Sequence, residues 1–111
     1  MSVDLINVKT RDGLRLDGIW RNPDSGTSSQ LGVDVVVLQH GVGGNFYGAG
    51  MFEEYSDAIL EKGCAVLRVN NRGHDGMSRA VVGDDVKRIG AAYESMDECR
   101  YDWEAWIDFA Q

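Results

Sequence analysis

Hydrophobic and polar positions alternate along the first twenty residues in the manner of two short strands. Residues 5–10 alternate weakly, and residues 11–13 (Arg-Asp-Gly) have the composition of a turn in which glycine supplies a positive φ. Over residues 14–20, one side of the alternation consists of Leu14, Leu16, Gly18 and Trp20. This pattern predicts an antiparallel hairpin, followed by a polar surface loop over residues 22–32.

A run of β-branched and apolar residues next predicts a strand over residues 34–39 that is buried on both faces. The strand passes directly into a loop in which Gly41, Gly43 and Gly44 fill three of four consecutive positions. A buried parallel strand that runs into a glycine-rich loop typically brings backbone groups to a ligand. We therefore interpret residues 35–45 as the segment around which the chain is organised.

A helix and a second strand follow this loop. Over residues 51–62, one helical stripe consists of Phe52, Tyr55, Ile59 and Leu60. Gly63 stands where a left-handed C-cap ends a helix, and residues 64–69 predict another buried strand. Strand, helix and strand with short connections form a βαβ unit, whose crossover is expected to be right-handed.

The last third of the chain divides into an irregular segment and a helix. Residues 77–95 show no firm period and predict a long excursion with one helical turn over residues 84–89. Residues 96–111 predict an amphipathic helix, with Ser95 as its N-cap and Glu98 completing a capping box. Its apolar face consists of Cys99, Trp103, Trp106, Ile107 and Ala110. We therefore interpret the two tryptophans as core residues and not as an aromatic binding patch.

Length and composition indicate one globular domain over residues 1–111, because 111 residues, 43% of them hydrophobic, suffice for a single core. The formal charge of −7 argues against a nucleic-acid partner. No apolar run approaches the roughly 20 residues of a membrane helix, and the N-terminus lacks a signal pattern, so we expect no membrane contact.

The two cysteines and two histidines do not predict a metal site or a disulfide. Cys64 and Cys99 fall on apolar positions, which is typical of reduced, buried thiols in a cytoplasmic protein. No partners at ligand spacing accompany them. His40 and His74 each lie in a glycine-flanked loop, where we expect them to shape the loop or form hydrogen bonds rather than bind zinc. We expect no cofactor.

The glycine loop admits several interpretations. Read as a dinucleotide fingerprint, it holds Phe46 where the third glycine belongs, and Asn70 and Asn71 replace the acidic residue that should follow the next strand. No Gly-Lys-Ser/Thr follows, which excludes a P-loop. The pair His40-Gly41 instead lets the chain double back, so that the amide of Val42 can point into a cleft as half of an oxyanion hole. A glycine-rich turn without a ligand is the alternative.

The residues Leu38-Gln39-His40-Gly41-Val42-Gly43-Gly44, an amphipathic helix, a short strand and Asn71-Arg72-Gly73-His74-Asp75 together resemble the N-terminal half of an α/β-hydrolase. The resemblance covers nearly the whole chain. It implies an α/β fold: a partial hydrolase-like sheet, made of an N-terminal antiparallel hairpin and a βαβ unit, with helices packed on it and strands in the order one, two, four, three. It also implies that Val42 supplies the oxyanion amide, within a binding loop that includes His40, Gly41, Gly43, Gly44 and Asn45.

In this family the nucleophile sits in a Gly-x-Ser-x-Gly elbow, which is expected just after a helix such as 96–111. The nearest match here, residues 76–80 (Gly-Met-Ser-Arg-Ala), follows a polar turn and not a strand, so we expect Ser78 to be a turn hydrogen-bonder. The resemblance therefore implies an incomplete domain: the N-terminal portion of a serine hydrolase acting on a carboxylic ester or related acyl compound. The nucleophile, acid and base would lie outside these residues, and the chain alone is expected to be inactive.

In the family that the chain resembles, a fifth strand pairs with the outer edge of strand 34–39. Without that strand the edge would be bare, and we expect another copy's strand or a swapped segment to cover it. A non-catalytic binding or assembly module on the same scaffold is the alternative function. A small nucleotide-binding domain is a third.

Overall fold

The computed structural model describes residues 3–23, 29–41, 44–47, 51–90 and 96–111. The elements within these residues are β1 (Val3–Lys9), β2 (Arg15–Arg21), β3 (Val35–Gln39), α1 (Met51–Glu61), β4 (Ala65–Val69), β5 (Ser78–Val82), β6 (Asp85–Ile89), a 3-10 turn (Met96–Glu98) and α2 (Cys99–Ala110). Neither helix is long and apolar enough to cross a membrane.

Four strands form the main sheet in the order β1-β2-β4-β3. β1 and β2 are the antiparallel hairpin, β2 pairs antiparallel with β4, and β3 runs parallel to β4 with Val35 opposite Ala65. Gly63 ends the connecting helix with a φ of 82°. The predicted hairpin, βαβ unit and strand order are therefore confirmed, and the chain has a mixed α/β fold compatible with part of an α/β-hydrolase.

The main core lies between α2 and one face of β2 and β4. Its buried members are Leu14, Leu16, Leu67, Val69, Ile89 and Trp106. Trp106 crosses β2 at Gly18, where a Cβ atom would lie 2.9 Å from the indole and 2.7 Å from the carbonyl oxygen of Arg68. Glycine at this position is therefore what allows the helix to approach the sheet.

On the opposite face of the sheet, α1 forms ion pairs with two arginines of the strands. Arg68 contacts Glu53 at 2.6 Å, and Arg21 contacts Asp57 at 3.3 Å. Both arginines are buried, whereas their acidic partners are exposed. Tyr55, predicted on the apolar stripe of this helix, is exposed instead. Carboxylates on α1 therefore pair with arginines that the strands present on this face of the sheet.

The prediction that strand 34–39 is buried on both faces is wrong. β3 is only partly buried, and Val37 is 39% exposed, whereas every residue of β4 is buried. The reason is position, because β4 has a strand on each side while β3 pairs with β4 alone among the described strands. An apolar run identifies a strand without saying whether it lies at the centre or the edge.

The helical turn predicted over residues 84–89 is also wrong. β5 and β6 pair as an antiparallel hairpin, with Gly83 in its turn at a φ of 60°. One side of this small sheet packs against the core through Ala80, Val82 and Ile89. Each strand has only five residues, which is too short for the alternation to stand out from the surrounding charges.

The helix predicted over residues 96–111 begins with the 3-10 turn and becomes α-helical at Cys99. Glu98 occupies the N-cap position without a side-chain cap hydrogen bond, and the predicted cap Ser95 lies outside the described residues. Cys99 and Trp106 are buried as predicted, but Trp103 and Ile107 are 43% and 54% exposed. Both cysteines are buried, as expected, and they are not joined in a disulfide.

Candidate functional site

The candidate site lies where the chain leaves the carboxyl ends of the parallel strands β3 and β4. The loop 40–47 after β3 meets the loop 70–76 after β4 there, at the sheet edge where open α/β folds bind ligands. Val42 and Gly43, predicted members of the site, lie outside the described residues, as do residues 48–50.

His40 fixes the start of the first loop. Its Nε2 accepts a hydrogen bond from the Asn71 amide at 2.9 Å, and its Nδ1 lies 2.6 Å from the carbonyl oxygen of Gly41. Because a carbonyl only accepts, Nδ1 carries the proton and Nε2 the lone pair of a neutral imidazole. The expected hydrogen-bonding role of His40 is confirmed.

Gly44 closes the same turn. Its amide donates to the Gly41 carbonyl at 3.0 Å, and a Cβ atom there would lie 2.9 Å from the Cβ of His40. Gly44 is therefore held close to both His40 and Gly41. A larger residue at position 44 would push the turn open.

Asp75 holds the far side of this loop. Its carboxylate accepts hydrogen bonds from Asn45 Nδ2 at 2.9 Å and from the Tyr47 hydroxyl. Its own amide donates to the Gly44 carbonyl at 2.7 Å. Asp75 has a φ of 58°, a conformation that costs energy for a residue with a Cβ and recurs at functional sites. The strained residue thus clamps one loop onto the other.

The clamp perturbs the ionisation of both its members. The hydrogen bond to Asp75 raises the pKa of Tyr47 to about 12. The same bond, helped by those from His74 and Asn45, lowers the pKa of Asp75. A charged carboxylate and a neutral phenol are therefore the paired forms at neutral pH.

Asp75, His74 and Ser78 form a contiguous set of polar side chains. Asp75 Oδ2 lies 2.8 Å from His74 Nδ1, and His74 Nε2 lies 3.4 Å from Ser78 Oγ. The order of atoms is that of a carboxylate, imidazole and hydroxyl relay. However, the Ser78 hydroxyl also donates to the carbonyl oxygen of His74 at 3.2 Å. This bond gives Ser78 the turn-stabilising role expected from the sequence.

Arg72 anchors the loop 70–76 to the rest of the fold. Its guanidinium contacts Asp102 at 2.8 Å, Asp12 at 2.8 Å and Glu98 at 3.3 Å. The Arg72 amide also donates to Asp102 at 2.9 Å. One buried cation therefore joins the loop, the hairpin turn and α2, and it holds the loop in register with the core.

Burial and ion pairing shift the pKa values of Arg72 and Asp102 in opposite directions. Burial raises the pKa of Asp102, and the hydrogen bonds from Arg72 counter that rise. Burial would lower the pKa of Arg72, but its bonds to Asp12 and Asp102 outweigh burial and raise it. The hydrogen bond from Arg72 lowers the pKa of the more exposed Asp12 to about 2.

The site also holds buried polar atoms without partners. Asn45 Oδ1 and Asn71 Oδ1, one on each loop, are buried and form no hydrogen bond. Unpaired buried acceptors are rare in folded proteins, and they are available to a donor on a ligand or an ordered water. From the sequence, Asn71 was noted only as a replacement for the acidic residue of a dinucleotide fingerprint and as part of the motif 71–75, and no pattern along the chain distinguishes an unpaired acceptor atom.

Within the part of the chain that the structure describes, no group of three or more His, Cys, Asp or Glu residues is arranged to hold a metal ion.

Comparison with known proteins found a likeness among solved structures. No family model matches the chain, and no curated protein matches it by sequence. Among solved structures, an esterase from Pyrococcus furiosus superposes with a TM-score of 0.64 at 19% identity. The match covers 97% of this chain and 34% of the esterase, so the chain spans about a third of that protein's length. At this identity the likeness establishes an esterase-like fold.

Proposed function

We propose that this chain is the N-terminal portion of a serine hydrolase for carboxylic esters or related acyl compounds, in which the Val42 amide forms one half of the oxyanion hole. The observation that carries the proposal is that His40 and Gly44, which follow the carboxyl end of β3, are both hydrogen-bonded to the loop after β4. The esterase-like fold supports the same conclusion.

The fastening suits an oxyanion hole because such a site works by preorganisation. Donors that are already fixed stabilise the negative charge on a carbonyl oxygen without the cost of reorienting at the moment of reaction. Here His40 accepts a hydrogen bond from the Asn71 amide and the Gly44 carbonyl accepts one from the Asp75 amide, and these two residues lie on either side of Val42 in the sequence. The nucleophile, the acid and the base are assigned to residues outside 1–111, so these residues alone are inactive.

The proposal assigns acylation to a serine other than Ser78. In the acylation step, that serine attacks the carbonyl carbon, its proton passes to the base, and the alcohol leaves after protonation. Ser78 is unsuited to this role because its hydroxyl forms a hydrogen bond with the carbonyl oxygen of His74 within its own turn, and because it follows a turn instead of ending a strand.

A serine-reactive fluorophosphonate tests the assignment directly. The 111-residue chain and the longest polypeptide that its gene encodes are each incubated with the probe and digested for mass spectrometry, with Ser78→Ala as the control. We expect a label only in the longer polypeptide, on a serine after residue 111. A label on Ser78, or ester turnover by the 111-residue chain, would overturn the proposal.

A non-catalytic assembly module is the second candidate. The observation that favours it is the partly exposed strand β3, whose outer edge pairs with no strand among those described.

A further inference from the structure

Two arginines face each other across the small sheet. In the antiparallel ladder of β5 and β6, Arg79 lies directly opposite Arg88, and Val81 lies directly opposite Val86. Directly opposed residues project from the same face of a sheet, and so do alternate residues of one strand, so these four side chains share one face. The opposite face packs against the core, so the two arginines lie on the outer face, where both are exposed.

These two arginines differ from the others in their pairing. Among the described residues, neither guanidinium lies within ion-pair distance of a carboxylate, whereas each of the other arginines does: Arg11, Arg15, Arg21, Arg68, Arg72 and Arg100. Like charges placed directly opposite each other destabilise a sheet. The chain has 18 acidic and 11 basic residues, so a shortage of carboxylates does not explain the pair.

The surroundings of the pair favour an anion. On the same face, Val81 and Val86 are 44% and 67% exposed, and Met77, which borders the two arginines, is 71% exposed. Apolar side chains displace water from a bound group, and opposite charges attract more strongly where water is excluded. Guanidinium groups hold carboxylates through paired hydrogen bonds. A carboxylate between the two arginines also offsets their mutual repulsion.

The pair adjoins the candidate site. Ser78, the neighbour of Arg79, is hydrogen-bonded to the carbonyl oxygen of His74 at 3.2 Å, and His74 and Arg79 line one open depression together with the two valines. Asp17 also lines this depression, but Arg15 contacts its carboxylate at 3.2 Å and offsets the charge. A site that admits a substrate keeps its approach open, so this surface remains accessible in a complete hydrolase.

We propose that Arg79 and Arg88 bind a free carboxylate of the substrate, so that the preferred substrates are esters of aliphatic acids that carry a second carboxyl group. This inference rests on the proposed hydrolase function and names its substrate class. The two guanidinium groups hold the free carboxylate while the ester lies at the loop 40–47. They determine specificity and take no part in making or breaking bonds.

The preference between two chromogenic esters tests this assignment in the longest polypeptide that the gene encodes. In mono-para-nitrophenyl glutarate the second carboxyl group is free, and in methyl para-nitrophenyl glutarate it is esterified. We expect the wild type to have the higher kcat/KM for the free acid. Arg79→Gln and Arg88→Gln should each lower this preference about 10-fold, as for the loss of a charge-assisted hydrogen bond. Lys87→Gln, on the other face of β6, is the matched control and should keep the preference.

A binding measurement separates this inference from the hydrolase proposal. Titration calorimetry with monomethyl glutarate needs no turnover, and dimethyl glutarate is its neutral reference. We expect the monoester to bind the wild type and Lys87→Gln but not Arg79→Gln, and the dimethyl ester to bind none of them. Such binding without hydrolysis of any ester would support the arginine site and overturn the hydrolase proposal. Hydrolysis of both chromogenic esters at equal kcat/KM would overturn the arginine site alone.

Thermal unfolding distinguishes a substrate site from an internal ion pair. Under the proposal, Arg79→Gln leaves the thermal midpoint of the longer polypeptide unchanged or raises it, because it relieves the repulsion from Arg88. A lower midpoint with an unchanged ester preference would mean that an acidic residue of the same polypeptide occupies the pair, and it would overturn the proposal. Tighter binding of inorganic phosphate than of monomethyl glutarate would also overturn it.

Discussion

The guanidinium of Arg72 lies 2.8 Å from the carboxylate of Asp102, whose side chain is completely buried. This pair joins the loop after β4 to α2, although its members are 30 positions apart in the sequence. The candidate site therefore depends on a charge pair beneath it as well as on the loops that form it.

Asp102→Ala should cost about 3–5 kcal/mol of unfolding free energy, because it removes the one fully buried acidic partner of the buried Arg72 guanidinium. Urea unfolding followed by tryptophan fluorescence measures the loss. Glu104→Ala on the same helix is the matched control, since its ion pair with Arg11 is exposed and worth about 0–1 kcal/mol. Similar losses in the two variants would show that Arg72 is not the anchor.

Gly18→Ala should destabilise the fold by about 1–3 kcal/mol, because the new methyl group meets the Trp106 ring at 2.9 Å and a backbone carbonyl at 2.7 Å. Gly76→Ala is the control, since a Cβ there would contact nothing within 4 Å. Thermal unfolding of both variants distinguishes them. A Gly18→Ala variant as stable as the control would contradict the packing of α2 on β2.

Stability should fall as the pH is lowered from about 4 toward 2. The pKa of Asp12 drops from 3.8 to about 2 on folding, so its contribution is complete above the unfolded value and is lost as the pH falls through the folded one. Asp75, whose pKa is also lowered, acts in the same direction. Urea midpoints measured across this range should vary less in Asp12→Asn than in the wild type, and identical slopes would exclude Asp12 as a contributor.

At alkaline pH, the Tyr47–Asp75 hydrogen bond predicts that stability falls as the pH rises. Folding raises the pKa of Tyr47 from 10 to about 12, so the stability it contributes is present below pH 10 and is lost as the pH rises toward 12. Tyrosinate absorbance, with Tyr47→Phe subtracted, isolates this group. Asp75→Asn should return its titration toward 10, and an unchanged titration would mean that the clamp does not form in solution.

The sequence predicts those elements whose formation depends on residues close together in the chain. The β1–β2 hairpin and α1 follow from short-range periodicity, and Gly63 ends its helix through a property of glycine alone. Trp103 and Ile107 were assigned to the core because periodicity identifies an apolar face without identifying what covers it. The exposure of Val37 was not predicted for the same reason, because an apolar run does not show what covers it.

The candidate site was predicted only in part for a similar reason. His40 was recognisable from its place at the end of a strand, and its hydrogen bond to Asn71 agrees with that prediction. The role of Asp75 depends on Tyr47, which is 28 positions away, and the role of Asp102 depends on Arg72. An acidic residue on the buried side of a helix is the one local signal that could have indicated Asp102.

The central claim is that the Val42 amide stabilises the oxyanion, and kinetics with a chromogenic ester test it most directly. In the longest polypeptide that the gene encodes, Val42→Pro removes the N–H while Val42→Ala keeps it. We expect Val42→Pro to lower kcat about 10²- to 10³-fold relative to Val42→Ala, with KM nearly unchanged, as for the loss of one oxyanion donor. Equal kcat values in the two variants would contradict the claim.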